Sequence, residues 1–341
     1  MKTKHLVFGL TLLVLSFSAC REITVTTVVN GDGSFSRIVT ITGDSSEVFK
    51  PDLPYPVDSS WAMEAGKDSA DTGKFIVTYT KHFRKCEELN TEILGDTGWR
   101  RQLVRRIDIT KRFRFFYSYL EYREVYSAAN PFSALPYKDY ITPEEYLWIT
   151  RQKPVQNHSD SALLKAAEDK VDVYLIAAAT LEAEKIMTDG FLRLNDPRLD
   201  PKRIAVFHDS VSNVFAKWDP GHPDDLIGCY SKWMDNPAVL RLHELKPPVF
   251  TDFEKKLTLL GELLFMEEFR VEAEMPGLIT GTNSSVMKGN RVGWEVFPMA
   301  FMFEDYKMTA ESRVINVWAF VLSGLVLFGL VILLVAKSLK K

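Results

Sequence analysis

Apolar and polar residues alternate one for one through the first third of the chain. "ITVTTVV" (23–29) and "RIVTIT" (37–42) carry this period of two on either side of "NGDGSFS". Side chains of a strand alternate between faces, so the pattern predicts two half-buried strands joined as a hairpin by a Gly-rich turn. Gly31 and Gly33 serve the turn; no helix follows them, as a phosphate-binding loop would need. A Pro-rich polar loop is expected over about residues 50–72. Then "KFIVTYTKHF" (74–83) and "RRIDITKRFRFFYSYLEYREVY" (105–126) read as strand again.

At Thr142 the period changes. "TPEE" is a capping box, with Pro143 at the first helical position and Glu145 placed to reach back to the cap. Helical spacing follows over Asp160 to about Asp189, Pro201 to about Trp218, a shorter segment from Pro223, and "TDFEKKLTLLGELLF" (251–265). Strand patterns return in "EEFRVEAEMPG", "RVGWEVFP" and "YKMTAESRVIN". The expected class is α+β: an antiparallel β frame interrupted by a mostly helical insertion at about residues 140–265, plus one C-terminal transmembrane helix.

The two ends set the expected location. Lys2 and Lys4 precede an apolar run from Leu6 to Phe17, and Ser18 and Ala19 follow, the layout of a secretory signal over residues 1–19. Cys20 directly after two small residues is read as a lipidated cysteine (palmitate among its acyl chains); cleavage after Ser18, leaving a bare thiol, is the alternative. Val314 to Ala336 carries no charge and, at about 23 residues, exceeds the roughly 20 needed to cross a bilayer. Trp318 near its outer end and Lys337, Lys340 and Lys341 after its inner end orient it with residues 337–341 in the cytoplasm. Residues 21–313 are then expected on the extracytoplasmic side of a bacterial cytoplasmic membrane, in the periplasm.

Strand-like sequence begins about two residues after Cys20 and runs to Arg313. An extended chain covers no more than about 3.6 Å per residue, so both anchors are expected at one end of the frame. The first and last strands are expected as antiparallel members of one frame, with Arg21, Arg313 and Trp318 at head-group level.

Charge narrows the partners. Setting aside the five lysines of the two ends, 37 basic residues face 45 acidic ones, a modest acidic excess that speaks against nucleic acid. Cys86 and Cys229 remain beside Cys20; they are read as unrelated thiols, a disulfide being the alternative in an oxidising compartment. No cofactor is implied.

Two stretches carry candidate chemistry. "GHPDD" (221–225) resembles the signature of the LmbE-like N-acetylglucosamine deacetylases. That resemblance implies a metal held by His222 and Asp225 with Asp224 activating water. Against it, the motif follows a helix end rather than a buried strand, and His243 is the only later histidine. A helix start with acidic residues in its first turn accounts for the same residues, so no metal ligand or catalytic residue is assigned. His208 with Asp209 and Ser210 would point apart on a helix, and His82 lies on a charged strand.

The second stretch is "KRFRFFYSY". Strand alternation puts Phe113, Phe115, Tyr117 and Tyr119 on one face and Phe116, Leu120 and Tyr122 on the other, as for a central strand covered on both sides. With Arg112 and Arg114 these rings also suit a groove for an acyl chain with an anionic head group.

The closing block resembles the LppM-type lipoprotein domain. It shares Met275-Pro276-Gly277, a polar hairpin, Trp294 on the returning strand and "AESR" before the membrane helix, along with the N-terminal "VNGDGS" turn. The resemblance implies a membrane-tethered envelope domain that contacts lipid or glycolipid, and it transfers no catalytic residue. The function expected is non-enzymatic binding of membrane lipid or of a partner protein at the membrane surface. A membrane-tethered hydrolase and a scaffold for another envelope membrane protein are the alternatives.

Overall fold

The alternating residues of the N-terminal third form the expected hairpin. β1 (Glu22–Val29) and β2 (Phe35–Gly43) pair antiparallel from Glu22↔Thr42 to Val29↔Phe35. Their turn closes through Gly33 N–H donating to the Asn30 carbonyl at 3.0 Å, with Gly33 at φ +95°, the left-handed region that glycine enters freely. The protein is described by a computed structural model over residues 21–49, 56–68, 73–96, 103–132, 134–153, 155–217 and 225–339. Two units emerge. One comprises Ala128–Glu267 with Phe297–Glu304; the other holds the described residues up to Ser127, Glu268–Val296 and the chain from Asp305.

The second unit is the β frame. A seven-stranded sheet adds β3 (Ala62–Lys67), β4 (Phe75–Phe83), β7 (Phe269–Glu274), β9 (Val286–Lys288) and β10 (Arg291–Val296) to the hairpin, in the order β3-β4-β2-β1-β7-β10-β9. A four-stranded antiparallel sheet, β5-β6-β11-β8, is built from β5 (Arg105–Phe113), β6 (Tyr117–Tyr126), β8 (Leu278–Thr282) and β11 (Tyr306–Ile315). Short helices α1 (Ser45–Val48) and α2 (Cys86–Leu94) belong to the same unit. The class is α+β, as the patterns predict.

Three features depart from the sequence reading. First, β1 and β7 pair parallel, Thr24↔Arg270 to Val28↔Glu274. Strands β2 to β6 and the whole insertion lie between them in the chain, and a long connection allows a parallel neighbour. Second, β3 lies inside the expected loop; it is an edge strand exposed at every position, so it has no apolar alternation to reveal it. Third, the stretch 105–126 is a hairpin, not one strand. Arg114 N–H donates to the Tyr117 carbonyl at 2.7 Å and Tyr117 N–H donates back to that of Arg114 at 3.0 Å, leaving Phe115 and Phe116 at the turn.

Contacts between the sheets come from the inward face of β6. Tyr122 stacks on Trp294 of β10 with ring centroids 6.1 Å apart, and Tyr126 meets Phe269 of β7 at 6.0 Å. Between these rings Glu124 takes a two-pronged ion pair from Arg37 of β2, at 2.8 and 2.9 Å, both residues almost wholly buried. Cys86 is buried on α2, where its Sγ accepts from Ile109 N–H at 3.1 Å and burial pushes the thiol up to about 11. Cys229, half-buried, is not bridged to Cys86.

The other unit is the helical insertion. α3 (Pro143–Ile149) opens on the capping box, with Thr142 N–H donating to Glu145 at 2.9 Å and Glu145 N–H donating to the Thr142 hydroxyl at 3.3 Å. α4 (His158–Leu194) runs beyond its expected limits and ends on Asn195 in the left-handed conformation. α5 (His208–Phe215), α6 (Leu226–Trp233) and α7 (Thr251–Phe265) follow. Pro201–Phe207, expected as α-helix, is a 3-10 segment ahead of α5. The Tyr174 hydroxyl ties α4 to the segment before α3, donating to the carbonyls of Phe132 at 3.1 Å and Leu135 at 3.0 Å.

Asp172 on α4 gives this unit a pH signature. Burial, then the charges of Asp169 and Glu168, push its carboxyl up to about 6. The folded state therefore holds this proton more tightly than the unfolded chain does. The stability that follows is complete below the unfolded value of 3.8 and is lost as pH rises through about 6. Asp172→Asn is expected to flatten that fall and to raise stability at neutral pH, as read by chemical denaturation of the full-length protein across that window.

Candidate functional site

The last strand leads straight into the apolar helix. Val314 and Ile315, expected within the span, are still strand, paired with Ser118 and Tyr117 of β6. The helix α8 is Val317–Ser338, and its stretch Val317–Val335 is long and apolar enough to cross a membrane, with a mean hydropathy of 2.7 and 6% of it buried. Between strand and helix stands Asn316. Its N–H donates to the Phe116 carbonyl at 2.9 Å, and its amide nitrogen donates to the carbonyls of Arg114 and Phe115 at 2.8 and 3.1 Å. Its side-chain oxygen accepts from the Ser118 hydroxyl at 2.9 Å. One residue thus fastens the β5–β6 turn to the start of α8.

Aromatic rings complete the junction. Phe113 stacks flat on Trp318 at 6.1 Å, with Phe115 edge-on to the same indole at 5.4 Å. Phe116 meets Phe320 at 4.8 Å and Tyr117 meets it at 6.0 Å. Offset and edge-to-face arrangements of this kind suit the ring quadrupoles. Yet the rings stay open to the surroundings: Phe113 is 58% exposed, Phe115 45% and Phe116 39%.

A row of cations borders the rings. In register, Arg112 of β5, Tyr119 of β6 and Arg313 of β11 stand side by side on the outward face of the four-stranded sheet. Arg313 lies 4.7 Å over the Tyr117 ring, and Arg112 pairs with Glu311. Lys111 donates to the Gly31 carbonyl at 2.6 Å. Among the described residues, neither Arg114 nor Arg313 has a carboxylate partner. The candidates Arg112, Phe113, Arg114, Phe115, Tyr117 and Tyr119 therefore come together with Arg313 and Trp318 at one end of the β frame. They do so through a turn, with Phe113 and Phe115 at its tip and Tyr117 and Tyr119 on the outward face. Phe116 and Phe320 were missed, because periodicity treats a turn residue as a strand residue and a span residue as lipid-facing.

Arg21 is placed elsewhere. It is buried and donates to the Glu47 carbonyl at 3.3 Å. The start of β1 lies level with the start of β11: Thr24 neighbours Arg270, Phe269 touches Tyr126, and Tyr126 pairs with Tyr306. The far end of β1 leads to Gly31, which Lys111 holds next to the aromatic tip. The chain thus enters the frame at the end remote from α8, and its first and last strands belong to different sheets. This overturns the expectation that both anchors share one end and that Arg21 stands at head-group level. The local pattern carried no information on which sheet each strand joins. Cys20 lies outside the described residues.

The histidine motif also falls mainly outside them: His222 and Asp224 are not described. Asp225 precedes α6, and His243 comes within 3.8 Å of it, both side chains more than half exposed. Among the described residues no three His, Cys, Asp or Glu side chains are grouped to hold a metal. His208 pairs with Glu184 at 2.9 Å rather than with its own neighbours, and His82 faces the Ser36 hydroxyl at 3.4 Å.

Taken together, fold and site define an α+β protein whose last strand feeds an apolar helix of membrane-crossing length, joined by an aromatic and cationic hairpin tip. The chain is similar to the folded domain of LppM from Mycobacterium tuberculosis, determined by NMR, over 87% of this chain and 91% of that one, with a TM-score of 0.26 and 9% identity. No family model matches the chain, and no curated protein matches it either.

Proposed function

We propose that this is a bacterial lipoprotein of the cytoplasmic membrane whose extracytoplasmic β frame binds lipid, or a partner protein, at the membrane surface without catalysing a reaction. The observation that carries the reading is the row Arg112–Tyr119–Arg313 beside the exposed rings at the foot of the span. Guanidinium groups take phosphate or carboxylate through paired N–H donors, while flat rings accept acyl chain. Both kinds of group stand where a head group and its chains meet. A hydrolase using His222 and Asp225 is the second reading, favoured by the approach of His243 to Asp225.

One preparation distinguishes them. Full-length protein extracted in mild detergent is expected to carry anionic lipid above its share of the membrane, and to retain no stoichiometric zinc after a chelator wash. Arg112→Ala with Arg313→Ala is expected to lose that enrichment with the fold intact. Bound zinc with no lipid enrichment would favour the hydrolase.

A further inference from the structure

The rings at the β5–β6 turn are exposed, apolar and fixed to a helix that is itself long enough to cross a bilayer, so what surrounds that helix surrounds them. We propose that the turn Phe113–Tyr117 is inserted into the membrane interface as a second, extracytoplasmic foothold beside the span. The proposal deepens the functional reading above, but it rests only on α8 crossing a membrane.

Length sets the depth. Val317–Val335 is 19 residues, or about 28 Å at roughly 1.5 Å per residue, against a hydrocarbon core of about 30 Å. No surplus turn exists to lift Val317 clear of the bilayer. Trp318 and Phe320, which hold the tip, lie in the first turn of that stretch. Asn316 bonds the carbonyls of Arg114, Phe115 and Phe116, so the tip cannot slide along the membrane normal independently of the helix. Phe113, Phe115 and Phe116 are thereby held at the level where aromatic rings gather in membrane proteins. Leu278 and Ile315, 61% and 59% exposed, widen the apolar surface at the same end, since Leu278 pairs with Arg313 and Ile315 with Tyr117. Arg112, Arg114 and Arg313 stand where their guanidinium groups meet phosphates, an arrangement favoured by anionic lipid. The occupant this chemistry fits is the interfacial layer of a bilayer, with acyl carbonyls against the rings and phosphates against the arginines.

The test places a photoreactive p-benzoyl-phenylalanine at Phe115 of the full-length chain, in nanodiscs of phosphatidylcholine and phosphatidylglycerol. The same residue at Phe320 reports the span, and at Met63, half exposed on the edge strand β3, it reports an apolar surface outside the tip. Irradiation is expected to give lipid adducts at 115 comparable with those at 320, and none at 63. Absence of lipid adducts at 115 while 320 is labelled would overturn the proposal, as would equal labelling at 63 and 115. Loss of lipid enrichment from extracted protein with labelling at 115 intact would remove the functional reading and leave the foothold standing.

Discussion

Glu124→Ala is expected to destabilise the β frame by about 3–5 kcal/mol, the usual cost of leaving one partner of a buried ion pair without the other. Arg37 is 0% exposed and Glu124 2%, and the Tyr122 hydroxyl donates to the same carboxylate at 2.5 Å while the Arg37 guanidinium also donates to Thr27. Truncation leaves the buried guanidinium without its carboxylate, with the neutral Thr27 hydroxyl in place of a charged partner. Replacing both members, Arg37→Met with Glu124→Leu, is expected to recover most of the loss, because the desolvation of both charges disappears with the pair. The denaturation midpoint of the full-length protein measures each variant. A single substitution no worse than the double one would show that the pair contributes nothing specific. The pair also bears on pairing geometry, since Arg37 and Glu124 meet only when the two sheets face each other in this one alignment.

Gly277→Ala is the second large effect, expected to cost about 2–5 kcal/mol. Gly277 lies in the turn by which the chain leaves β7 of one sheet for β8 of the other. Its φ of +79° falls in the left-handed region, where a side chain costs about 1–2 kcal/mol. A Cβ there would also overlap the Arg313 carbonyl oxygen, which is backbone and cannot swing aside, a conflict of the over-packing kind worth about 1–3 kcal/mol. Gly281→Ala supplies the control, since nothing lies within 4 Å of a Cβ at that position and its φ is not in that region. Equal midpoints for the two variants would remove the close-approach argument. Because Arg313 belongs to the cationic row, strain at Gly277 is also expected to loosen the tip.

The position of the chain entry changes how two anchors would act. An acyl group on Cys20 would be tethered one residue before Arg21, and one extended residue covers at most about 3.6 Å. β11 separates that level from α8 by 10 residues of strand, about 33 Å. With β1 paired to β2 and β7, an anchor at Cys20 would act at the opposite end of the frame from α8. Two anchors pinning one end of the sheet, the arrangement the sequence suggested, is incompatible with the paired β1.

What was legible in the sequence was whatever depends on neighbours along the chain. The β1–β2 hairpin followed from alternation and the glycines of its turn, α3 from Thr142, Pro143 and Glu145, and α8 from an uncharged apolar run. Each is set by sterics, capping bonds or transfer from water over a few consecutive residues. The aromatic and cationic side chains of the tip could also be picked out, since composition alone makes "KRFRFFYSY" unusual. Their arrangement could not. The turn at Phe115 and Phe116 has no Gly, Asn or Pro to mark it; what holds it is Asn316, roughly 200 residues further on. The parallel pairing of β1 with β7 and the assignment of β1 and β11 to different sheets arise from contacts across a similarly long separation. Local periodicity says which face of a strand is apolar, but not which strand will cover it. Tertiary structure made that choice, through the Arg37–Glu124 pair, the Tyr122–Trp294 stack and the Asn316 junction, because only there do the competing pairings differ in burial and in satisfied hydrogen bonds.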